Sequence, residues 1–283
     1  MTRRGSLRFL QKICVVLGLA FLVLPFFLPF LWMVGSSLRT NEEMFKYTHP
    51  LTIRTFVPLR PTVSNYVHLM GEMRFFRYFL NSMFVALSVT ALTLMLSALA
   101  AYAFSRMNFP LRNLAFILVL ATMMVPFEST VIPLYLVVRG MKMHNTYSGL
   151  IVPWIANPFI VFLMRQFFLT IPKDLDEAAI IDGCSHLGVL RHVILPNSKS
   201  ILVTAGLMSF LWSWDAFLWP LIIIESPAKM VIQVAISSLN TQEVVYWGRV
   251  FAACTVASLP TVAAFLALQR YYVQGIAFSG MKQ

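Results

Sequence analysis

The sequence predicts an all-α, polytopic membrane protein with six transmembrane helices, and three observations carry that expectation. Of 283 residues, 59% are hydrophobic and only 12% are charged, against about a quarter charged in soluble domains. Four stretches contain no Lys, Arg, Asp or Glu: residues 13–38, 78–105, 143–164 and 250–269, which are 26, 28, 22 and 20 residues long. Crossing about 30 Å of hydrocarbon takes roughly 20 helical residues, so each stretch is long enough. Two more carry one acid apiece, Glu128 within 113–138 and Asp215 within 200–224, which brings the count to six. A water-soluble domain is excluded.

The net charge of +11 does not point to nucleic acid, because the 22 basic residues lie between apolar stretches and form no run on an exposed domain. Membrane topology explains them better. Arg3, Arg4, Arg8 and Lys12 precede the first span, which keeps residues 1–12 in the cytoplasm under the positive-inside rule. Six crossings return the tail, 269–283, to the same side, so residues 13–283 form a single transmembrane domain. Summed over all loops the bias is small, 12 Lys/Arg inside against 10 outside, and the orientation rests on the first twelve residues. The 26-residue first span is too long for the core of a secretory signal and no small-x-small cleavage site comes after it, so an uncleaved helix is expected. Cys14, Cys184 and Cys254 have no CxxC or metal-ligand spacing, and no disulfide framework is implied.

Span one contains Pro25 and Pro29, where kinks are expected. Residues 39–77 form the longest outer loop, divided by Pro50, Pro58 and Pro61, with Ser64 placed to cap a short helix carrying Tyr66 and Leu69. Span two covers about residues 79–104. A tight basic turn with Arg106 and Arg112 leads to span three, which Pro126 and Pro133 interrupt around Glu128. Span four, about 147–168, holds Pro153 and Pro158. Span five runs over about 201–224 and span six over about 250–268, with a mildly amphipathic piece at 230–239 between them. There is no tandem repeat or low-complexity tract.

Residues 170–199, between spans four and five, differ in kind, because charged residues alternate there with regularly spaced apolar ones. In IPKDLDEAAIIDGCSHLGVLRHVILP, Asp174 precedes Glu177 by three residues, the spacing of an N-cap and its N3 partner. Leu175, Ala178 and Ala179 share one face of the helix so started, and the two alanines allow close approach to its backbone. Gly183 ends the helix, Ser185 caps a second through about Arg191, and Pro196 is expected to stop the helical stretch after it. The expectation is a cytoplasmic helix-turn-helix coupling hairpin. Such order is gratuitous unless something docks on it.

Glu177-Ala178-Ala179, three residues, Gly183, nine residues, Val193, one residue and Leu195-Pro196 resemble the EAA loop of the permease subunits of bacterial ATP-binding-cassette importers. The position of Val193 is usually Ile in that family, and aromatic residues often stand at those of Leu187 and Leu190. ATMMVPFESTVIPLYLVV (121–138), NTYSGLIVPW (145–154), FLWSWDAFLWPL (210–221) and YYVQGIAFSGMK (271–282) are similar to its carbohydrate-importing, maltose-permease G-like branch.

The resemblance implies a chain of the bacterial plasma membrane that pairs with a second permease subunit. Two cytoplasmic ATPase subunits would grip the hairpins, and an extracytoplasmic sugar-binding protein would deliver the solute. It also implies ATPase coupling through Glu177, Ala178, Ala179, Gly183, Ser185, Leu187, Leu190, Leu195 and Pro196. No cofactor is expected on this chain; ATP and Mg would be bound by the partner ATPases. In agreement, no G-x-x-x-x-G-K-S/T occurs and no glycine is followed by lysine, so there is no P-loop to hold phosphates.

Glu128 and Asp215 are candidates for the substrate path, because a carboxylate near mid-membrane costs about 2.5–3.5 kcal/mol and has to face the bundle or a wet cavity. Trp212 and Trp219 stand at i−3 and i+4 from Asp215, combining flat apolar faces with an acceptor as a sugar ring requires. The competing reading is an interfacial tryptophan belt with Asp215 paired to a neighbouring helix. His186 and His192, six residues apart, do not suit two ligands on one helical face. Within the importer reading the solute stays open, since a mono-, di- or oligosaccharide or a glycerol phosphate compound all fit, and two rival functions are weaker. An ion-coupled secondary transporter would show inverted repeats, and a membrane enzyme would show paired catalytic groups; neither pattern is present.

Overall fold

The computed structural model describes residues 3–46, 52–241 and 244–280, which form helices and no strand. In chain order these are α1 (Arg3–Ser37), α2 (Ile53–Phe56), α3 (Ser64–Gly71), α4 (Phe75–Arg106), α5 (Arg112–Ala121), α6 (Phe127–Gly140), α7 (Tyr147–Ile151) and α8 (Pro158–Phe168). They continue as α9 (Asp174–Ile181), α10 (His186–Val189), α11 (Leu195–Asn197), α12 (Lys199–Trp214), α13 (Leu218–Ile223), α14 (Ile232–Leu239) and α15 (Trp247–Gly280).

Three stretches are uninterrupted and apolar enough to cross a bilayer: Val15–Ser37, Phe75–Arg106 and Trp247–Gln269. Three more crossings are bent pairs, with angles of 104° between Arg112–Met124 and Phe127–Gly140, 43° between Tyr147–Trp154 and Pro158–Phe168, and 85° between His186–Asn197 and Lys199–Trp214. Counting each pair as one crossing gives up to six by length and composition among the described residues, the number expected from the sequence, but the third pair takes in His186–Asn197 of the expected hairpin in place of residues 215–224 of span five.

The breaks have local causes. A residue before proline is pushed out of the helical region, and Val125, before Pro126, has ψ of 117°. Asn157, before Pro158, has ψ of 107°, and its Oδ1 accepts the Ile160 N–H at 3.1 Å to start α8. Pro25 and Pro29 lie inside α1 without ending it, and Pro133 likewise lies inside α6. Span five departs from the expected continuous 201–224 helix: α12 stops at Trp214, and α13 begins after a three-residue break.

The chain divides into two compact units, residues 1–75 with 236–258 and residues 76–235 with 259–283. In the first, Ser64 begins α3 without capping it, contrary to expectation; its Oγ instead accepts from Thr62 Oγ1 at 3.0 Å. Leu69 is fully buried, and Tyr66 Oη and Ser37 Oγ are 2.7 Å apart. Asn65 Nδ2 donates to the carbonyls of Ser37 and Arg39 at 2.9 and 2.8 Å, fastening α3 to the end of α1. Trp32 meets Phe251 edge-on at 4.9 Å.

The second unit has two cores. One joins Ala98, Ala101 and Tyr102 of α4 with Met164 and Phe168 of α8, and Val189, Leu190 and Ile194 pack into the same cluster. The other gathers Val85 and Val89 of α4, Val138 of α6, Leu150 of α7, and Trp219 and Ile223 of α13.

Candidate functional site

The hairpin starts with three acids, Asp174, Asp176 and Glu177, in the first turn of α9, where the partial positive charge of the helix terminus favours them. The capping box expected from Asp174 and Glu177 is not formed: the helix begins at Asp174 itself, after Lys173 in a helical conformation with no side-chain cap. The carboxylates act instead on the terminal dipole. At the other end Gly183 adopts φ +87°, a left-handed geometry open to glycine at little cost. Its N–H donates to the Ile180 carbonyl at 3.0 Å and the Cys184 N–H to that of Ala179 at 2.9 Å, the paired bonds of a Schellman stop. Ser185 Oγ accepts the Gly188 N–H at 3.3 Å and starts α10 as expected.

Beyond α10, residues Leu190–Ile194 form a π-helical turn and α11 continues through Pro196, which lies in the first turn of α11 and does not stop the chain. A missing N–H is tolerated at that position. The stop comes two residues later, at Ser198, before the 85° bend into α12.

The hairpin has two faces. Glu177, Ala178, Ser185 and Pro196 lie on the outer one, together with Ile181, 85% exposed, and Leu187, 66% exposed. Leu190, expected on the docking helix, is instead buried in the core with Val189 and Ile194, and Ala179 and Leu195 pack against that core.

The sequence reading missed an anchor. Arg106, the last residue of α4, brings Nε to 2.7 Å from Asp176 Oδ2, and both side chains are largely buried. Its Nη2 donates to the Ile171 carbonyl at 2.7 Å, so one guanidinium fastens both the entry of the hairpin and its first helix. Burial pushes the Asp176 carboxyl up from the usual carboxylate range, with Arg106 pulling it the other way. Asp176 is buried where its neighbour Glu177 is exposed, and no sequence spacing links it to Arg106, seventy residues earlier.

The second feature is a cavity of about 400 Å³ in the other half of the same unit. It is walled by Trp154, Asn157, Ser209, Trp212, Ser213 and Trp219, with Phe127, Phe217 and Ser82 also reaching it. The breaks at 155–157 and 215–217 both open onto it, and Phe127 begins the helix after the break at Pro126. Non-helical backbone at membrane depth is stable only where protein covers it or a wet cavity adjoins it.

The expected path residues separate here. Trp212 and Trp219 line the cavity, Trp219 with its Nε1 donating to the Gly149 carbonyl at 2.9 Å. They do not share the single helical stripe expected, because the break at Asp215 places them on different helices. Asp215 ends α12 and is exposed, with Gln233 Nε2 donating to its Oδ1 at 3.4 Å; Glu128 is exposed in the first turn of α6. Neither carboxylate lines the cavity.

Residues 93–278 match the family described as "binding-protein-dependent transport system inner membrane component". Over 288 residues the chain is 32% identical to an arabinooligosaccharide transport system permease of Bacillus subtilis (strain 168), covering 100% of each. It is 33% identical over 286 residues to the sn-glycerol-3-phosphate transport system permease of Salmonella typhi, covering 98% of each. With a sulfoquinovosyl glycerol transport system permease of Agrobacterium fabrum the identity is 32% over 258 residues, 90% of this chain and 88% of that one. In structure it is similar to a chain of a bacterial ABC transporter that imports the acidic polysaccharide alginate, with a TM-score of 0.82 at 21% identity, covering 96% of this chain and 99% of that one.

Proposed function

This chain belongs to the family of binding-protein-dependent transport system inner membrane components, and from that premise we propose how its two features divide the work of import. It is a permease subunit of an ABC importer and performs no covalent chemistry.

The hairpin, residues 170–199, is the cytoplasmic element on which an ATPase subunit closes. Glu177 supplies a free carboxylate for a basic residue of that partner, while Ala178 and Leu187 supply apolar contact. Gly183 and Ser185 set the turn; Ala179, Leu190 and Leu195 hold the hairpin to the spans, and Pro196 lies at its exit. The supporting observation is that the unexposed side of the hairpin shares one hydrophobic core with α4 and α8. A cluster at interior density moves as a body, so force on the exposed side reaches the spans without slack.

ATP and Mg belong to the two ATPase subunits. A second permease chain completes the pore, and an extracytoplasmic binding protein delivers a carbohydrate or a related solute to it. Trp212 and Trp219 contribute to the solute path. Glu128 and Asp215 belong to its margins, where the second permease chain or water covers them, because exposure to lipid would cost about 2.5–3.5 kcal/mol each.

Glu177→Lys tests the reading. The expected outcome is a protein inserted in the membrane at the normal level whose complex either fails to assemble or hydrolyses ATP without uptake. Uptake unchanged from the native complex would refute the role given to Glu177.

A further inference from the structure

We infer that the cavity between the broken helices is a binding site for an uncharged saccharide, and that it discriminates against phosphorylated, sulfonated or uronic solutes. The inference rests on the permease reading above and goes beyond it by assigning a charge class to the cargo.

The lining contains no Asp, Glu, Lys, Arg or His among the described residues. An anion entering a cavity of this kind would lose water and find no cation, and an unpaired buried charge costs several kcal/mol even after relaxation. The nearest carboxylates in sequence, Glu128 beside Phe127 and Asp215 between Ser213 and Phe217, add negative potential at the margin and strengthen the exclusion.

The groups that are present suit a polyol ring. Trp154 is held edge-on by Phe127 at 5.2 Å and by Trp219 at 6.3 Å, and Trp219 is fixed by its bond to Gly149. Phe159 steadies Trp212 at 5.7 Å, which remains 47% exposed and so offers an unoccupied face. Rigid aromatic walls give a large contact area at small entropic cost and accept the C–H face of a ring without selecting for charge.

Hydrogen-bonding groups complete the lining. Ser82 Oγ accepts the Ile232 N–H at 2.7 Å and Asn157 Oδ1 accepts the Ile160 N–H at 3.1 Å, so each oxygen is engaged while the Ser82 hydroxyl proton and the Asn157 amide protons remain for an acceptor. Ser209 and Ser213 add two hydroxyls, which donate and accept equally well. A few neutral donors and acceptors in a mostly apolar concavity of about 400 Å³ match the general make-up of small-solute sites.

The test uses proteoliposomes holding the complete complex with ATP inside and its binding protein outside. They are offered a mixture of neutral pentose and hexose oligosaccharides together with glycerol 3-phosphate and oligouronates, and the accumulated solutes are identified by mass spectrometry. At least one neutral saccharide should accumulate about tenfold faster than any anion, a difference of about 1.4 kcal/mol. At equal amounts of assembled complex, Trp212→Ala should lower that import about tenfold, and Trp212→Phe, which keeps a flat face, should restore most of it. Import independent of ATP would remove the permease reading itself. ATP-driven import that is equal or faster for an anion, that includes no neutral saccharide, or that is untouched by Trp212→Ala leaves the permease reading standing and overturns this inference.

Discussion

Arg106 and Asp176 meet at the joint between a membrane span and the hairpin, and the physical consequence of separating them is unequal on the two sides. Removing the guanidinium in Arg106→Ala leaves a buried carboxylate whose Oδ1 already has no hydrogen-bond partner among the described residues. The expected loss is on the order of 3 kcal/mol, read as a lower midpoint in thermal denaturation of the purified complex. Asp176→Asn keeps the shape and a hydrogen-bond acceptor for Arg106, and should cost less than half as much. At Gly183, any side chain meets open space but must accept φ +87°. Gly183→Ala is therefore expected to destabilise the hairpin by about 1 kcal/mol through backbone strain alone. Gly183→Asn should be milder, with limited proteolysis within residues 170–199 as the measurement.

The helices show which local signals are sufficient and which are not. Proline located the break at 126, because its effect on the preceding residue needs no tertiary context; Pro133, also expected to interrupt span three, lies inside α6, and at Pro158 the sequence marked a proline without marking the break. The break after Trp214 was not expected, although Pro220, just beyond it, has no N–H to bond the Ala216 carbonyl; on the far side of the break Trp219 Nε1 donates to the Gly149 carbonyl at 2.9 Å. The anchor was hidden as well, since a charge on α4 and another seventy residues later give no periodic signal. The turn between α9 and α10, by contrast, was legible because Gly183 and Ser185 act on their own backbone neighbours. Where α7 meets α13, a Cβ on Gly149 would stand 2.2 Å from the Met143 carbonyl oxygen. Gly149→Ala is therefore expected to push the backbone apart and cost roughly 1–3 kcal/mol, the range for overpacking, seen as a lower unfolding temperature in detergent.

At the scale of the whole chain, composition alone established the membrane class and the number of crossings, because the thickness of hydrocarbon fixes the length of every span. Orientation needed the basic residues before the first span, and it has a direct measurement. In a background with the native cysteines replaced, a cysteine at Lys173 is expected to react with a membrane-impermeant maleimide only in inside-out vesicles. One at Glu42 is expected to react only in right-side-out vesicles. Labelling of both from the same side would invert or discard the topology.

The short helix α8 joins the two ends of this design. Its 11 residues, Pro158–Phe168, start beside Asn157 at the cavity wall and end at Phe168 in the cluster that holds the hairpin, a rod of roughly 16 Å. Tilting such a rod by about ten degrees at its foot carries its tip roughly 3 Å, about the width of a water molecule. Under the coupling proposed above, a push on the hairpin would be delivered to the cavity wall through this rod, pivoting at the non-helical residues 155–157.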